Sequence, residues 1–453
     1  MFKNKKGILV LTFLMVFTLV LTSGAQADVK NMIVMVGDGL GVGQMDMARY
    51  LSGDKDHKLE FMKLPNVGMM MTSSTQGVTD SAAAGTAIAT GYKTKNGMVG
   101  MSPSGAELDS ILDYAETLNK STGIISSNKV TDATPAAFAV SAKSRDNEGE
   151  IAQSILNNDV DVVLGGGADE FKEEEVGKDV IGMAQDMGYN YVTNADELNN
   201  YNPENGKLLG LFSPSYMNYV LDRDDVGSNE PSLLEMTKKA ISILSNDEDG
   251  FFLMSEGARI DHAAHAADVP GMVAETLQFD ESVEYAVNWA KKNGDTMVVV
   301  LADHETLGIS VSEPLKKESL MNIEVSPEYM AGKMVKKDNE PGMTIESIKS
   351  VFNEYANIEL TDQEAKEFNN SIINNDGNMY YSYMIGWEIG SVIAEKYYAG
   401  SLTSEIRANS STGGHTLNSV PVFAYGPESE GFNAVLDNTE VYDVLFEAFR
   451  PGN

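Results

Sequence analysis

Six short runs of apolar, largely β-branched residues stand out along the chain: NMIVMV (31–36), TGIISS (122–127), VDVVLGG (160–166), FFLMSE (251–256), TMVVVLAD (296–303) and VPVFAYG (420–426). Between many of them the apolar positions change to helical spacing, as in LDSILDYAETLNK (108–120) and AETLQFDESVEYAVNWAKKNG (274–294). Strands alternating with helices predict a mainly parallel central sheet covered on both faces, an α/β three-layer sandwich. No internal repeat or Pro-rich linker divides the pattern, so residues 28–453 read as one domain. Two stretches break its rhythm and read as insertions: 168–231, rich in Asn, Asp, Glu and Tyr, and 310–409, with helical patterns in TIESIKSVFNEYANIEL and YYSYMIGWEIGSVIAEKYYAG. Their Tyr and Met residues are expected in the core or at a dimer interface rather than in a substrate pocket.

In open parallel sheets, ligands bind beyond the carboxyl ends of the strands. Acids and imidazoles collect there: Asp38 after the first run, Asp132 and Thr134 after the second, Glu256, Asp261 and His265 at and after the fourth, Asp303 and His304 after the fifth. Only five histidines occur, and four of them (His262, His265, His304 and His415) sit near these acids or in a Gly-rich turn, which points to a metal site. Asp261 and His265, four apart, share one face if a helix begins there and can chelate one ion. His262 lies about 100° around that helix and serves something else. Asp303, His304 and Asp38 form a second nitrogen-and-oxygen set, and both sets suit Zn²⁺. Glu256, Thr134 and a shared oxygen of Asp38 form an all-oxygen set suited to Mg²⁺.

Two Gly-rich or small-residue stretches need separate treatment. GDGLGVG (37–43) lacks the full dinucleotide spacing and would set Asp38 against a pyrophosphate, so that reading is discarded. TDSAAAGTAIATGYKT (79–94) places Asp80 and Ser81 at a helix start followed by very small residues. Taken alone it reads as a cap on a tightly packed helix, although a helix start is also a natural anion site.

Composition narrows the partners. The first residues, with Lys3, Lys5 and Lys6, an apolar run from Ile8 to Leu21 and small residues at Ala25 and Ala27, read as a secretory signal peptide over 1–27. Its apolar run is short of the roughly 20 residues a membrane span needs, and no later stretch is apolar enough to cross a bilayer. The expectation is an exported protein: secreted, periplasmic or at the cell surface. With no Cys, stability must come from core size, bound metal or oligomerisation. A net charge of −34 repels nucleic acid and anionic lipid, so an anionic substrate must be held locally by metal or Arg.

Together, VGDGLGVGQ, TDSAAAGTAIATGYKT, TDATPAAFAVSAKSR, EGARIDHAAH, ADHET and TGGHT, in this order and followed by VPVFAYGP, resemble the alkaline phosphatase family over Asn31 to Pro427. The resemblance implies hydrolysis of small-molecule phosphate monoesters with Ser81 as the nucleophile that forms a phosphoserine. It implies one Zn²⁺ on Asp261, His265 and His415, a second on Asp38, Asp303 and His304, and Mg²⁺ on Asp38, Thr134 and Glu256. Arg145 would grip the phosphoryl oxygens, in place of the solvated surface charge that its polar surroundings alone suggest. Asp132 and His262 match variable positions near the third metal and the phosphate, where Asp132 would hold Mg²⁺ waters and His262 would act through a water with a pH-dependent charge. The family also implies a homodimer and suggests that 310–409 forms part of a crown or lid. TLNS follows His415 where many relatives have TG and an acid, so that loop is expected to differ in shape. Sulfate-ester or phosphodiester hydrolysis is the alternative within the wider superfamily, and a non-catalytic, acidic metal-binding protein is the alternative outside it. Ser81 with Arg145 and a magnesium-like third set favours monoesters.

Overall fold

The computed structural model describes residues 28–53, 58–173 and 177–450. The segment read as a signal peptide lies outside the described residues. In chain order the strands are β1 (Asn31–Gly37), β2 (Asn66–Met71), β3 (Ser121–Lys129), β4 (Val162–Gly166), β5 (Asn190–Val192), β6 (Leu208–Leu211), β7 (Phe251–Gly257), β8 (Thr296–Leu301), β9 (Glu305–Thr306), β10 (His415–Thr416), β11 (Val420–Tyr425) and β12 (Val435–Asp437). Ten of them form one sheet in the order β12-β2-β11-β8-β1-β7-β3-β4-β6-β5, and β9 pairs with β10 alone. All pairings in the large sheet are parallel except those of β11 with β2 and β8. Helices pack on the sheet, as a sheet buried on both faces requires: every residue of β1, β7 and β8 is buried.

All six predicted strands are present. Of the strands that the pattern did not mark, β2, β5, β6 and β12 lie toward the two ends of the large sheet, and β9 and β10 form the separate pair. β2 alternates buried and more accessible positions in NVGMMM, and β5 and β12 are three residues long. The 168–231 stretch supplies β5 and β6 and so extends the sheet. The 310–409 stretch is helical, with its longest helix at Ser382–Tyr397. Buried Asp222 joins the two stretches by accepting hydrogen bonds from Ser326 N (2.7 Å) and Ser326 Oγ (2.6 Å).

Register explains why the chemistry gathers at one edge. Val36 pairs with Glu256 and with Leu301, and Ser126 pairs with Glu256. Four central strands therefore end level with one another, and the residues just past them, including Asp38 and Asp303, emerge side by side. Behind this edge runs the helix Val269–Asn293. Asp268 caps it by accepting from Gly271 N (3.0 Å), Pro270 fits its first turn, and Gly294 ends it in the left-handed region at φ +82°.

Candidate active site

Ser81 opens the helix Ser81–Thr90, and the preceding Asp80 accepts hydrogen bonds from Ala83 N (3.0 Å) and Gly97 N (2.8 Å). Both readings of the small-residue stretch thus meet in one element: Asp80 is the cap, and Ser81 stands at the dipole-positive helix start. Every residue of this helix is buried, so small side chains are a packing requirement. A Cβ on Gly85 would come within 3.1 Å of Ala137 Cβ and 3.4 Å of Thr134 Cα. Without side chains in the way, the helix Ala133–Ala139 carries Thr134 up against it.

Imidazoles and carboxylates surround Ser81. Its Oγ lies 3.2 Å from His304 Nε2, which is 3.1 Å from Asp303 Oδ2 and 3.6 Å from Asp38 Oδ1. Asp303 Oδ1 accepts from Gly39 N (3.1 Å) and from His304 N (2.9 Å). Gly39 needs its missing side chain here, since at φ +68° a Cβ would meet Asp261 Oδ1 at 2.8 Å. On the other side, Asp261 and His265 share the helix Arg259–His265, with Asp261 Oδ2 3.2 Å from His265 Nε2. His415 Nε2 is 3.1 Å from His265 Nε2.

The tautomers of the last two rings follow from their outer partners. His265 Nδ1 lies 2.9 Å from the Gly413 carbonyl and His415 Nδ1 2.9 Å from the Thr79 carbonyl, so both Nδ1 atoms donate. Their Nε2 lone pairs then face each other beside a carboxylate, an arrangement that requires a cation between them, either a proton or a metal ion. Two groups have ligand atoms close enough to share an ion: Asp261, His265 and His415, and Asp38, Asp261 and His304. Asp261 thus faces both positions. Asp303, expected in the second set, falls outside both groups, although its Oδ2 lies 3.1 Å from His304 Nε2.

Three buried oxygens at the edge accept no hydrogen bond of ordinary geometry: Asp38 Oδ1, Thr134 Oγ1 and Asp303 Oδ2, the last with only the His304 ring nitrogen 3.1 Å away. Orphaned buried oxygens are costly, and these three belong to residues read from the sequence as metal ligands, so the donor set fits bound cations. Charge leads to the same conclusion. Burial, with Asp303, Asp261 and Glu256 nearby, raises Asp38 well above the usual carboxylate range. Burial lifts Glu256 to about 8 against the opposing hydrogen bond from Ser126, and lifts Asp303 to about 6 with Asp261 adding to the shift. Asp261 goes the other way, because His265, His415 and His304 outweigh its burial.

Arg145 lines the cavity over Ser81. Its Nη2 donates to Asp132 Oδ1 (2.7 Å) and its Nη1 lies 3.5 Å from Asp80 Oδ2. Asp132 also accepts from Ala133 N (2.6 Å) and from the Asn128 side chain. Burial opposes its ionisation, but Arg145 prevails and holds it down at about 2. Asp132 therefore orients the guanidinium. His262 sits off the chelating face, as its helical position requires, with Nδ1 2.6 Å from Arg259 Nη1. Burial first and Arg259 second push its pKa down to about 3, which favours the neutral ring.

Sequence reasoning missed the residues that brace this set. Thr306 Oγ1 donates to Asp261 Oδ1 (2.5 Å), and Arg407 Nη1 donates to the His265 carbonyl (3.1 Å). Glu305 ties the loop after His415 in place, accepting from Thr416 Oγ1 and from Asn418 Nδ2 (3.4 Å). Thr306 and Glu305 were visible in ADHET, but nothing in the motif marks them as supports. The tyrosines of the two irregular stretches were also misjudged: Tyr216, Tyr219 and Tyr383 line the cavity, because their helices and loops fold back over the sheet edge.

A sandwich that sets a seryl hydroxyl among imidazoles and carboxylates able to hold metal ions, at the ends of its central strands, suits a metal-dependent hydrolase. The chain belongs to the alkaline phosphatase family, whose model matches residues 29–450. It is 32% identical over 444 residues to alkaline phosphatase 4 of Bacillus subtilis (strain 168), covering 94% of this chain and 90% of that protein. The fold is similar to that of Thermus thermophilus alkaline phosphatase, with a TM-score of 0.79 at 26% identity over 94% of this chain and 93% of the other. It is also similar to a histidine-to-aspartate variant of TAB5 alkaline phosphatase with Mg bound in its M3 site, with a TM-score of 0.64 at 26% identity over 94% and 99% of the two chains. Among the described residues no helix is long and apolar enough to cross a membrane.

Proposed function

We propose that this chain hydrolyses phosphate monoesters through a phosphoserine on Ser81, using two Zn²⁺ and one Mg²⁺. The observation that carries the reading is the approach of His265 Nε2 and His415 Nε2 to 3.1 Å beside Asp261, next to a serine at a helix start. Asp261, His265 and His415 would hold one Zn²⁺, and Asp38, Asp303 and His304 the other. Asp38, Thr134 and Glu256 would hold Mg²⁺, a hard ion matched to oxygen donors. Bound there, the zinc ions would supply Lewis acidity for the attacking and leaving oxygens, and the magnesium ion would supply positive charge beside them.

The chain's own residues do the rest. The start of the Ser81 helix attracts the phosphate dianion, and Arg145, steadied by Asp132, offers its remaining N–H groups to two phosphoryl oxygens. Ser81 Oγ attacks phosphorus, the ester oxygen leaves with the alcohol, and water then cleaves the phosphoserine to return Ser81 and release phosphate. Neutral His262, its Nδ1 taken by Arg259, has Nε2–H left to donate toward the phosphate side, directly or through a water. The Mg bound by an aspartate-substituted relative supports an oxygen-rich third site here, with Asp132 alongside.

Side-by-side hydrolysis of a monoester, a diester and a sulfate ester, with and without Zn²⁺ and Mg²⁺, tests the function. Faster turnover of the diester or sulfate ester would overturn it. Arg145→Ala is expected to lose roughly 2 to 4 kcal/mol of transition-state stabilisation, about 30- to 1,000-fold in kcat/KM. Inhibition by inorganic phosphate should weaken with it, while metal content stays constant. Unchanged phosphate inhibition would return Arg145 to the role of a surface charge.

A further inference from the structure

Above Ser81 the cavity, about 380 Å³, opens between two aromatic walls. On one side are Tyr216 and Tyr219, with the Arg259 guanidinium 3.5 Å from the Tyr219 ring centre. On the other, Tyr383 and Trp387 stand one turn apart on the helix Ser382–Tyr397. Trp387 stacks on His265 with ring centres 5.2 Å apart and planes at 19°. Tyr383 meets Trp387 edge-on at 5.6 Å, and Tyr381 stacks parallel to Tyr383 at 6.2 Å. The rings therefore run in sequence from His265, which lines the same cavity as Ser81, out to solvent.

Tyr383 is 43% exposed although it borders the cavity. A phosphate group fills only a small part of 380 Å³, a volume in the range of small-molecule pockets, so room for the alcohol of the ester is left beside these rings. The rings form a wall suited to a flat aromatic group by stacking. The order of ring contacts sets where that group would sit. From Ser81 the contacts run through His304 (3.2 Å), His415 (ring centres 3.6 Å from His304) and His265 (4.9 Å from His415) to Trp387 and last to Tyr383, so along this chain Tyr383 is the contact furthest from the nucleophile.

We propose that Tyr383, held in place by Trp387, selects monoesters whose alcohol carries a planar aromatic ring one sugar-sized spacer from the phosphate, the build of a nucleoside 5′-monophosphate. This proposal rests on the phosphomonoesterase reading above. Stacking of a base on one aromatic side chain corresponds to roughly tenfold in affinity. The ester carrying the base should gain that factor over the same sugar phosphate without it.

The metal-loaded enzyme is assayed for kcat/KM on adenosine 5′-monophosphate, ribose 5-phosphate and phenyl phosphate, as wild type, Tyr383→Ala and Tyr383→Phe. The first two substrates share an alkyl leaving group and differ in the base, so their ratio reports stacking and not leaving-group reactivity. The expected wild-type ratio is about tenfold or more. It should fall to within about twofold in Tyr383→Ala, be kept in Tyr383→Phe, and leave the ratio of phenyl phosphate to ribose 5-phosphate unmoved. A wild-type ratio near one, a ratio indifferent to Tyr383→Ala, or a loss confined to phenyl phosphate overturns the proposal. Turnover of none of the three would remove the phosphomonoesterase reading itself, and the proposal with it.

Discussion

Replacing Ser81 with alanine is expected to reduce turnover by at least about 10³-fold while phosphate and metal ions still bind. Ser81 Oγ is the hydroxyl at the start of its helix that also lies beside the metal-site imidazoles, 3.2 Å from His304 Nε2. Its removal takes away the group that accepts the phosphoryl, while the helix start, Arg145 and the carboxylates remain. The variant should therefore show near-normal metal content and phosphate affinity with almost no product release. Mass analysis of wild type quenched in acid during turnover should find one added phosphoryl on Ser81, and none in the variant. Wild-type rates in Ser81→Ala would mean that water attacks the ester directly.

The sequence showed the central sheet well because most of its six predicted strands are near-continuous apolar runs, as a sheet covered on both faces requires. It showed the metal-type residues because each follows such a run, and Asp261 with His265 could be paired by helical spacing alone. What it did not show depends on contacts between distant segments. That Asp261 faces both cation positions follows from where β9 and β10 bring His304 and His415 together, and no spacing encodes that. Nothing in EGARIDHAAH singles out Arg259, yet its Nη1, 2.6 Å from Nδ1, decides which nitrogen of His262 is left free. The cavity tyrosines were hidden for a related reason. Periodicity in SYMIGWEIGSVIAEKY gives a helix and its packed face, with Ile385, Ile389 and Ile393 buried, but does not say that Tyr383 and Trp387 overlook the nucleophile.

Removing the metal ions is expected to abolish activity and also to change how stability responds to pH. Glu256, Asp303 and Asp38 all have folded-state values raised above the unfolded ones. An acid raised in this way keeps its proton longer in the native chain than in the unfolded chain. Stability therefore falls as pH rises from the unfolded to the folded value. For Glu256 that window runs from 4.5 to about 8, and for Asp303 from 3.8 to about 6. Asp261, held low mainly by His265 against its burial, acts in the opposite sense, but its contribution is lost only as pH falls through the acid range. Between pH 5 and pH 8 the metal-free protein should thus lose stability on the order of a few kcal/mol, a drop in Tm on the order of 5 °C. With Zn²⁺ and Mg²⁺ bound, the same carboxylates are ionised and neutralised by the cations, and metal binding tightens as protons leave, so Tm should hold or rise across that range. Reducing agent should change neither curve, because the chain has no Cys. Melting curves at pH 5, 6.5 and 8, with and without chelator, decide the matter. Parallel curves at all three would show that the cations do not neutralise these buried acids.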